Sequence, residues 1–299
     1  MSHPHQTPDQ PPIRPPTRAR WNWPHLLLLA AWLPWWQLTR AGADAWALQG
    51  WLAAVLTVLG LAERYRPFRA DWQPGRADLE RDAGLWAVNS LVDTIAGAGL
   101  LWLALSLSPA DSTWPLWLQI LLGIPLAEFG GYWLHRCSHR DGWLWRVHLL
   151  HHRPVRVNLA NSLTAHPLNA LLERTVRLLP LLLLGMQADA ILAIGLFHLM
   201  QSLAVHSNTT GSLGALGHLI GNAELHRVHH SDQPADDGNY GTDLPLWDQL
   251  FGTFRRPATS HSVGVYEPDR YPGEHAVLAL LLLPWQRRDS TRQQNATRT

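Results

Sequence analysis

The feature that most constrains this chain is a series of long apolar stretches, at residues 22–39, 45–62, 84–108 and 115–134. Each approaches the roughly 20 residues that an α-helix needs to cross the hydrocarbon core of a bilayer. Lipid offers no partners to backbone amides, so a lipid-exposed segment must satisfy them internally, as a helix does. A less regular apolar region over 168–206 is broken by Glu173, Arg174, Arg177 and a turn at Gly185–Asp189, and reads as a helical hairpin. The run Ala276–Trp285 is too short to cross and is expected to lie in the interface or to pack on the rest of the protein. The 17 Trp fit this picture, because indole rings concentrate at membrane–water boundaries.

Arginine placement orients the helices. The first 20 residues carry Arg14, Arg18 and Arg20, and the 63–83 loop carries Arg64, Arg66, Arg69, Arg76 and Arg81. The short links at 40–44 and 109–114 hold only Arg40. Four crossings then put the tail and that loop on the positive, cytoplasmic side and return the chain there after residue 134; a hairpin at 168–206 returns it there again, so every histidine cluster falls on that side. Residues 1–20 are Pro-rich and read as a disordered tail, and 21–126 as membrane-anchoring helices, with Leu26–Trp36 a retained anchor rather than a cleaved signal. Residues 127–256 form the expected catalytic domain, followed by a C-terminal segment over 257–299 that ends in a polar tail.

Composition removes several function classes. Basic and acidic residues number 24 and 23, a net charge of +1, without the excess of a nucleic-acid-binding protein. The single cysteine, Cys137, excludes an internal disulfide, a Cys-ligated iron–sulfur cluster and a Cys-rich zinc site.

Histidine does the opposite. Of 17 in the chain, eight fall into three clusters: His135 and His139; His148, His151 and His152; His226, His229 and His230. On a helix, residues three and four apart share a face, so each cluster aims its imidazoles in nearly one direction. Eight nitrogen ligands are too many for one metal ion and a natural number for two, and imidazole suits zinc, copper, iron and nickel. The bland alternative is a set of capping or interfacial histidines, each with its own hydrogen bond. That reading suits lone residues such as His25 and His275 better than three clusters at ligand spacing, since eight buried imidazoles without a metal leave polar nitrogens unsatisfied. No G-x-S-x-G elbow and no H-E-x-x-H pair is present. Asn89 and Asp93, within an apolar stretch, are expected either to line a channel or to bond helix to helix.

The clusters and their surroundings resemble the fatty acid hydroxylase superfamily, the sterol desaturase-like integral-membrane di-iron enzymes with histidine boxes. The resemblance rests on Glu128 to His139, His148-x-x-His151-His152 and Glu224-Leu-His226-Arg-Val-His229-His230. It extends to Ala165-His166-Pro167, Val205-His206-Ser-Asn208, Asn239-Tyr240-Gly241 and Leu246-Trp247-Asp248 through Thr253. Glu128 stands where the family commonly has Asp, and Asn169 where many members carry an acid. The resemblance implies His135, His139, His148, His151, His152, His226, His229 and His230 as metal ligands, His206 as a ninth and His166 as a possible tenth. Glu128, two helical turns before His135, and Asn208 are implied to accept or donate hydrogen bonds that orient the ligands from behind. No catalytic residue beyond the metal centre is expected.

The fold expected is therefore all-α, a polytopic membrane helical bundle with a cytoplasmic histidine-rich catalytic cap. The implied cofactor is two Fe ions, for which zinc substitutes in isolated protein, and the implied reaction is O2-dependent hydroxylation of an unactivated C–H bond of a lipid. A desaturase would use the same site, and a membrane metal- or haem-binding protein without oxygenase activity is the rival from another class. Fatty acyl chains, sterols or hopanoids, carotenoids, ornithine lipids and alkylglycerols all remain open as substrates. Without a nucleotide fingerprint, an iron–sulfur cysteine set or a fused cytochrome b5-like domain, electrons are expected from a separate reductase, ferredoxin or cytochrome. The expected location is a bacterial inner membrane, with the active site on the cytoplasmic face and no nucleic-acid partner.

Overall fold

The computed structural model describes residues 21–107, 110–140, 142–256 and 262–286; the expected N-terminal tail and most of the C-terminal polar tail lie outside these residues. The four apolar stretches are helices: α1 (Trp23–Arg40), α2 (Ala45–Tyr65), α3 (Arg76–Leu107) and α4 (Leu116–Ser138). They are followed by α5 (Trp143–His152), α6 (Pro167–Leu183), α7 (Ala188–His206), α8 (Ala223–His229), α9 (Leu246–Leu250) and α10 (Val277–Leu282). Among the described residues the only β-pairing is three isolated bridges. Helix starts follow local chemistry: Asn22 accepts from the His25 amide ahead of Pro24 at α1, and Asp44 accepts from the Ala47 amide at α2. Each such side chain satisfies an amide that lacks an intrahelical partner.

Among the described residues two helices, α3 and α7, are long and apolar enough to cross a membrane, so of the four stretches expected to cross only that of α3 meets this measure, and the two helices differ in surroundings. The apolar window of α3 is 11% buried, whereas that of α7 is 61% buried. Outward-facing Val88, Leu91, Ile95, Leu101 and Trp102 on α3 form an apolar face that is disfavoured against water. α7 instead runs through the middle of the bundle, with Ala190, Ala193, Met200, Leu203 and Ala204 buried. It packs on α1 and α4, and Leu28, Ala31, Val55 and Leu59 from α1 and α2 close over its C-terminal half.

The expected hairpin over 168–206 is present as α6, a turn at Gly185 and α7, but the two arms pack chiefly on other helices. α6 lies against α3 and α4, and α7 against α1 and α4. Close approach of α6 to α4 depends on adjacent glycines: a Cβ at Gly130 would collide with the Val176 carbonyl, and one at Gly131 with the Arg177 guanidinium. Ala127, Leu181, Met186 and Ile194 fill the space where α4, α6 and α7 meet. Asn89 and Asp93 bond element to element. Asn89 donates to the carbonyls of Leu163 and Ala165, and Asp93 lies 3.4 Å from Arg174 of α6. The run Ala276–Trp285 packs under α5, with Leu280 and Leu283 against Leu149 and Leu150.

α4 continues unbroken from the apolar stretch into its His135 turn, so the segment that anchors and the segment that carries the first histidines are one rigid helix. Its last turn, all of α5, α8 and the end of α7 converge at one end of the bundle.

Candidate metal centre

Nine histidines meet there in two adjoining groups. In one, ring nitrogens of His135, His139, His148, His152 and His229 all lie within 4.8 Å of one another; in the other, those of His151, His206, His226 and His230 do. Helical spacing explains the division. His148 and His152, four apart on α5, point to the first group, while His151 between them points to the second. α8 is divided in the opposite sense, with His226 and His230 in the second group and His229 in the first. The groups touch through His152 and His230, whose rings stack with centroids 4.2 Å apart.

The outer nitrogens fix the inner ones. A neutral imidazole carries one proton, and a ring bonded to a carbonyl must place it there. His135 Nδ1 donates to the Tyr240 carbonyl at 2.7 Å, His151 Nδ1 to the Thr164 carbonyl at 3.0 Å and His229 Nδ1 to the Gly238 carbonyl at 2.8 Å. His148 Nδ1 donates to Asn169 Oδ1 at 3.1 Å and His206 Nδ1 to Asn161 Oδ1 at 3.2 Å; His139 Nδ1 faces the Asp237 carboxylate at 3.4 Å. Nε2 of the five rings bonded to a carbonyl or amide oxygen, those of His135, His148, His151, His206 and His229, is therefore an unprotonated lone pair that points inward.

Those lone pairs face each other. His152 Nε2 is 3.2 Å from His139 Nε2, 3.1 Å from His148 Nε2 and 3.2 Å from His229 Nε2. A single proton on His152 serves at most one of the three. In the second group His226 Nε2 and His230 Nε2 stand 3.1 Å apart. Nε2 of His135 and of His206 is buried, with no hydrogen-bond partner among the described residues. Each such orphan costs about 1–3 kcal/mol, unless a cation takes the lone pair. Two ligands held about 2.1 Å from a first-row metal lie about 3.0 Å apart at right angles and about 3.4 Å apart in a tetrahedron. The observed 3.1–3.2 Å falls between these, so the donor set fits a metal in each group.

Burial and neighbouring rings hold the imidazoles of His148, His152, His226, His229 and His230 well below the usual histidine range. Burial lowers His151 to about 4. Neutral imidazole is the form that ligates. In the metal-free protein the unfolded chain, with histidines near 6.5, binds more protons than the folded one below that pH. Stability is therefore full above about 6.5 and falls as pH drops toward 4. The melting midpoint of chelator-treated protein in detergent should decline steadily between pH 7 and pH 5; a flat profile would show that the rings are not buried as neutral groups.

The loop that supplies two of the orienting carbonyls is itself pinned. Asn239 takes a left-handed φ of 53° between Gly238 and Tyr240, a conformation that Asn tolerates better than most residues. Asp248 accepts from the Tyr240 and Gly241 amides at 2.8 and 2.7 Å, and a Cβ at Gly241 would press on Asp248 and the Leu244 carbonyl. Asn161 Oδ1 is assigned as the acceptor by its network, since it also takes the Asn158 amide while Nδ2 donates to the Arg156 carbonyl. Asn161→Ala should weaken metal binding in the second group by about 10–100-fold, the usual scale for an orienting partner. Titration with a competing chelator checks it: metal held by the second group should leave before metal held by the first.

The remaining site expectations have other placements. His166 lies in neither group: its Nδ1 caps α6 by accepting the Leu168 amide, and its Nε2 donates to the Leu281 carbonyl. Glu128 is fully buried and pairs with Arg177 at 2.6 Å while accepting the Asp243 amide at 2.9 Å, with its carboxylate on the loop rather than on a ring nitrogen. Asn208 exchanges two hydrogen bonds with the Arg69 backbone, and Glu63 accepts its amide. The groups that do orient the rings are Asn161, Asn169, Asp237 and three backbone carbonyls. Asn161, in the Asn158-x-x-Asn161 capping pattern, left a trace in the sequence; the carbonyls, which every residue has, left none.

A cavity of about 340 Å³ borders the first group through His139, His152 and His229. A five-plus-four imidazole set of this kind, at the end of a helical bundle, is a candidate centre for redox-metal chemistry. A fatty acid hydroxylase family profile matches residues 120–253, which holds both groups. The ornithine lipid hydroxylase OlsE of Rhizobium tropici is 32% identical over 225 residues, covering 71% of this chain and 68% of that protein. Human alkylglycerol monooxygenase is 30% identical over 56% of this chain and 38% of its own length. The Delta(7)-sterol 5(6)-desaturase erg3B of Aspergillus fumigatus is 28% identical over 50% of this chain and 43% of its own. No solved structure matches. The chain belongs to the fatty acid hydroxylase family, and it is an oxidoreductase.

Proposed function

We infer that this protein is an integral-membrane di-iron oxygenase that hydroxylates an unactivated C–H bond of a lipid, with O2 as oxidant and electrons from a separate carrier. The observation that carries this reading is the set of inward lone pairs. Rings tied from outside by carbonyl, amide and carboxylate groups present unprotonated nitrogens to two common points, an arrangement that a protein without metals would find unfavourable. His135, His139, His148, His152 and His229 would hold one iron, and His151, His206, His226 and His230 the other. Bound iron supplies the one-electron chemistry that no side chain here can, reducing O2 and removing hydrogen from carbon. The chain's own residues hold the ligands neutral, fix each ring's direction and bury both groups away from bulk water. The outward apolar face of α3 and the histidine end of the bundle fit a substrate that arrives from lipid. The arginine bias of the loops supports a cytoplasmic active site in a bacterial inner membrane.

Hydroxylation is preferred to desaturation because the likeness to the ornithine lipid hydroxylase extends over more of the chain than that to the sterol desaturase. Metal analysis of protein purified without chelator should find about two irons per chain, as the imidazole count requires. One metal or none, or a haem absorption band, would remove the reading. Lipid extracts of a deletion strain, compared with the parent, should lack a hydroxylated species; loss of an unsaturated one instead would favour the desaturase.

A further inference from the structure

Four arginines are buried among the described residues: Arg69, Arg81, Arg177 and Arg227. Three of them meet carboxylates directly, Arg69 through Asp71, Arg81 through Asp82 and Arg177 through Glu128. Arg227, on α8 between His226 and His229, does not. Its Nη1 donates to the Ser207 carbonyl at 3.4 Å, and its guanidinium carbon lies 3.9 Å from the centroid of the Phe68 ring. Glu224, three residues earlier on α8, acts on it only at a distance, without a hydrogen bond. Burial pushes the guanidinium down to about 10, which still leaves it charged at neutral pH. A buried cation without a counter-charge is unfavourable in itself, and it raises the potential at whatever stands beside it.

What stands beside it is the second histidine group. Ser207 follows His206, Arg227 follows His226, and the rings of those two histidines have centroids 4.5 Å apart. Two acids lie on that side. Glu173, whose charge reaches His151, already pairs with Arg177. Glu63 accepts the Leu159 and Asn208 amides, and burial pushes its carboxyl up to about 7, so it carries only part of a charge at neutral pH. The first group has the opposite setting: Asp237 faces His139 Nδ1 at 3.4 Å, and its charge reaches His229 as well. We infer that the two metal positions are unequal, with Asp237 making the first group the tight one and Arg227 making the second the weak, exchangeable one. The inference rests on the two-metal reading of the centre but not on its reaction. A divalent ion is attracted by a nearby carboxylate and repelled by a nearby guanidinium, and a buried site screens neither well. Five imidazoles against four favour the same order, so substitution is needed to isolate the charge. Occupancy of the second group would then follow the level of free metal while the first stays filled.

The test uses the full chain in maltoside detergent, stripped of metal and titrated with zinc against a coloured chelator, so that no turnover is read. The parent should bind two zinc ions in steps about tenfold or more apart in affinity, the scale that one poorly screened charge imposes. Arg227→Met keeps the length and the apolar contact with Phe68 but not the charge, and should tighten the weak step by about tenfold while leaving the tight step alone. Arg227→Lys retains the charge and should leave both steps as in the parent. Asp237→Asn, at an exposed side chain whose remaining oxygen still accepts from His139, should weaken only the tight step, by about three- to tenfold. A residue that merely holds the fold would give the opposite sign at Arg227, a weaker step on substitution by Met. That result, or an unchanged weak step, would overturn the inference, as would two steps of equal affinity in the parent. Asp237→Asn decides independently of whether the Arg227 variants fold: a tight step that it leaves unchanged also overturns the inference. Binding of one zinc or none by both the parent and Arg227→Met would remove the two-metal reading together with it, whereas equal steps remove the inference alone.

Discussion

His152→Ala is expected to reduce lipid oxidation by about a thousandfold or more, equivalent to about 4 kcal/mol of barrier, and, under the proposed two-iron reading, to release one metal. No other ring sits so centrally: His152 Nε2 lies within 3.2 Å of three other imidazole nitrogens and its ring stacks on His230 of the second group. Deleting it opens one group and removes the closest ring contact between the two. Folding should survive, because relieving crowded lone pairs offsets the small cavity left behind. Product formation and metal content, measured on the same membrane preparation, check this. Two retained metals with full turnover would exclude His152 from the ligand set.

Arg177→Met is expected to destabilise the protein by about 3–5 kcal/mol, the usual cost of leaving a buried charge without its partner. Arg177 reaches from α6 to three carboxylates: Glu128 at 2.6 Å, Asp243 at 3.1 Å and Glu173 at 2.6 Å. Glu128 and Asp243 are almost wholly buried, so Glu128 would lose its cation and Asp243 would keep only His198 Nδ1, at 2.9 Å. The effect should extend to the metal centre, since Asp243 and Tyr240 belong to one loop and the Tyr240 carbonyl aims His135. The melting midpoint with and without metal reads both consequences. A second substitution, Glu128→Gln, should recover part of the loss by removing one stranded charge, a coupling that a double-mutant cycle measures. If Arg177→Met melts like the parent, the network is ornamental.

Residue type and spacing carried much of this molecule. The four apolar stretches are helices, three of them within a few residues of their expected limits, and the three clusters do converge. His206, implied by the family resemblance of Val205-His206-Ser-Asn208, joins them. α3 starts eight residues before its apolar stretch, because the turns from Arg76 through Asp82 are held by ion pairs among buried charged side chains rather than by apolar packing. Asp78 takes Arg81, Arg156 and His275, and Arg81 also takes Asp82. Hydropathy alone has no signal for such a turn.

What the sequence determined by itself was the inventory: helices long enough for a bilayer, a family, and imidazoles on shared helical faces, all consequences of local periodicity. What only the tertiary structure decided was the allocation. Neighbours on α5 and α8 serve different groups, because the centre lies between helices and one turn's rotation moves a ring from one side to the other. His166 caps a helix, Glu128 braces a loop, and backbone carbonyls aim the rings. Those roles depend on what arrives from distant parts of the chain, which no local pattern records.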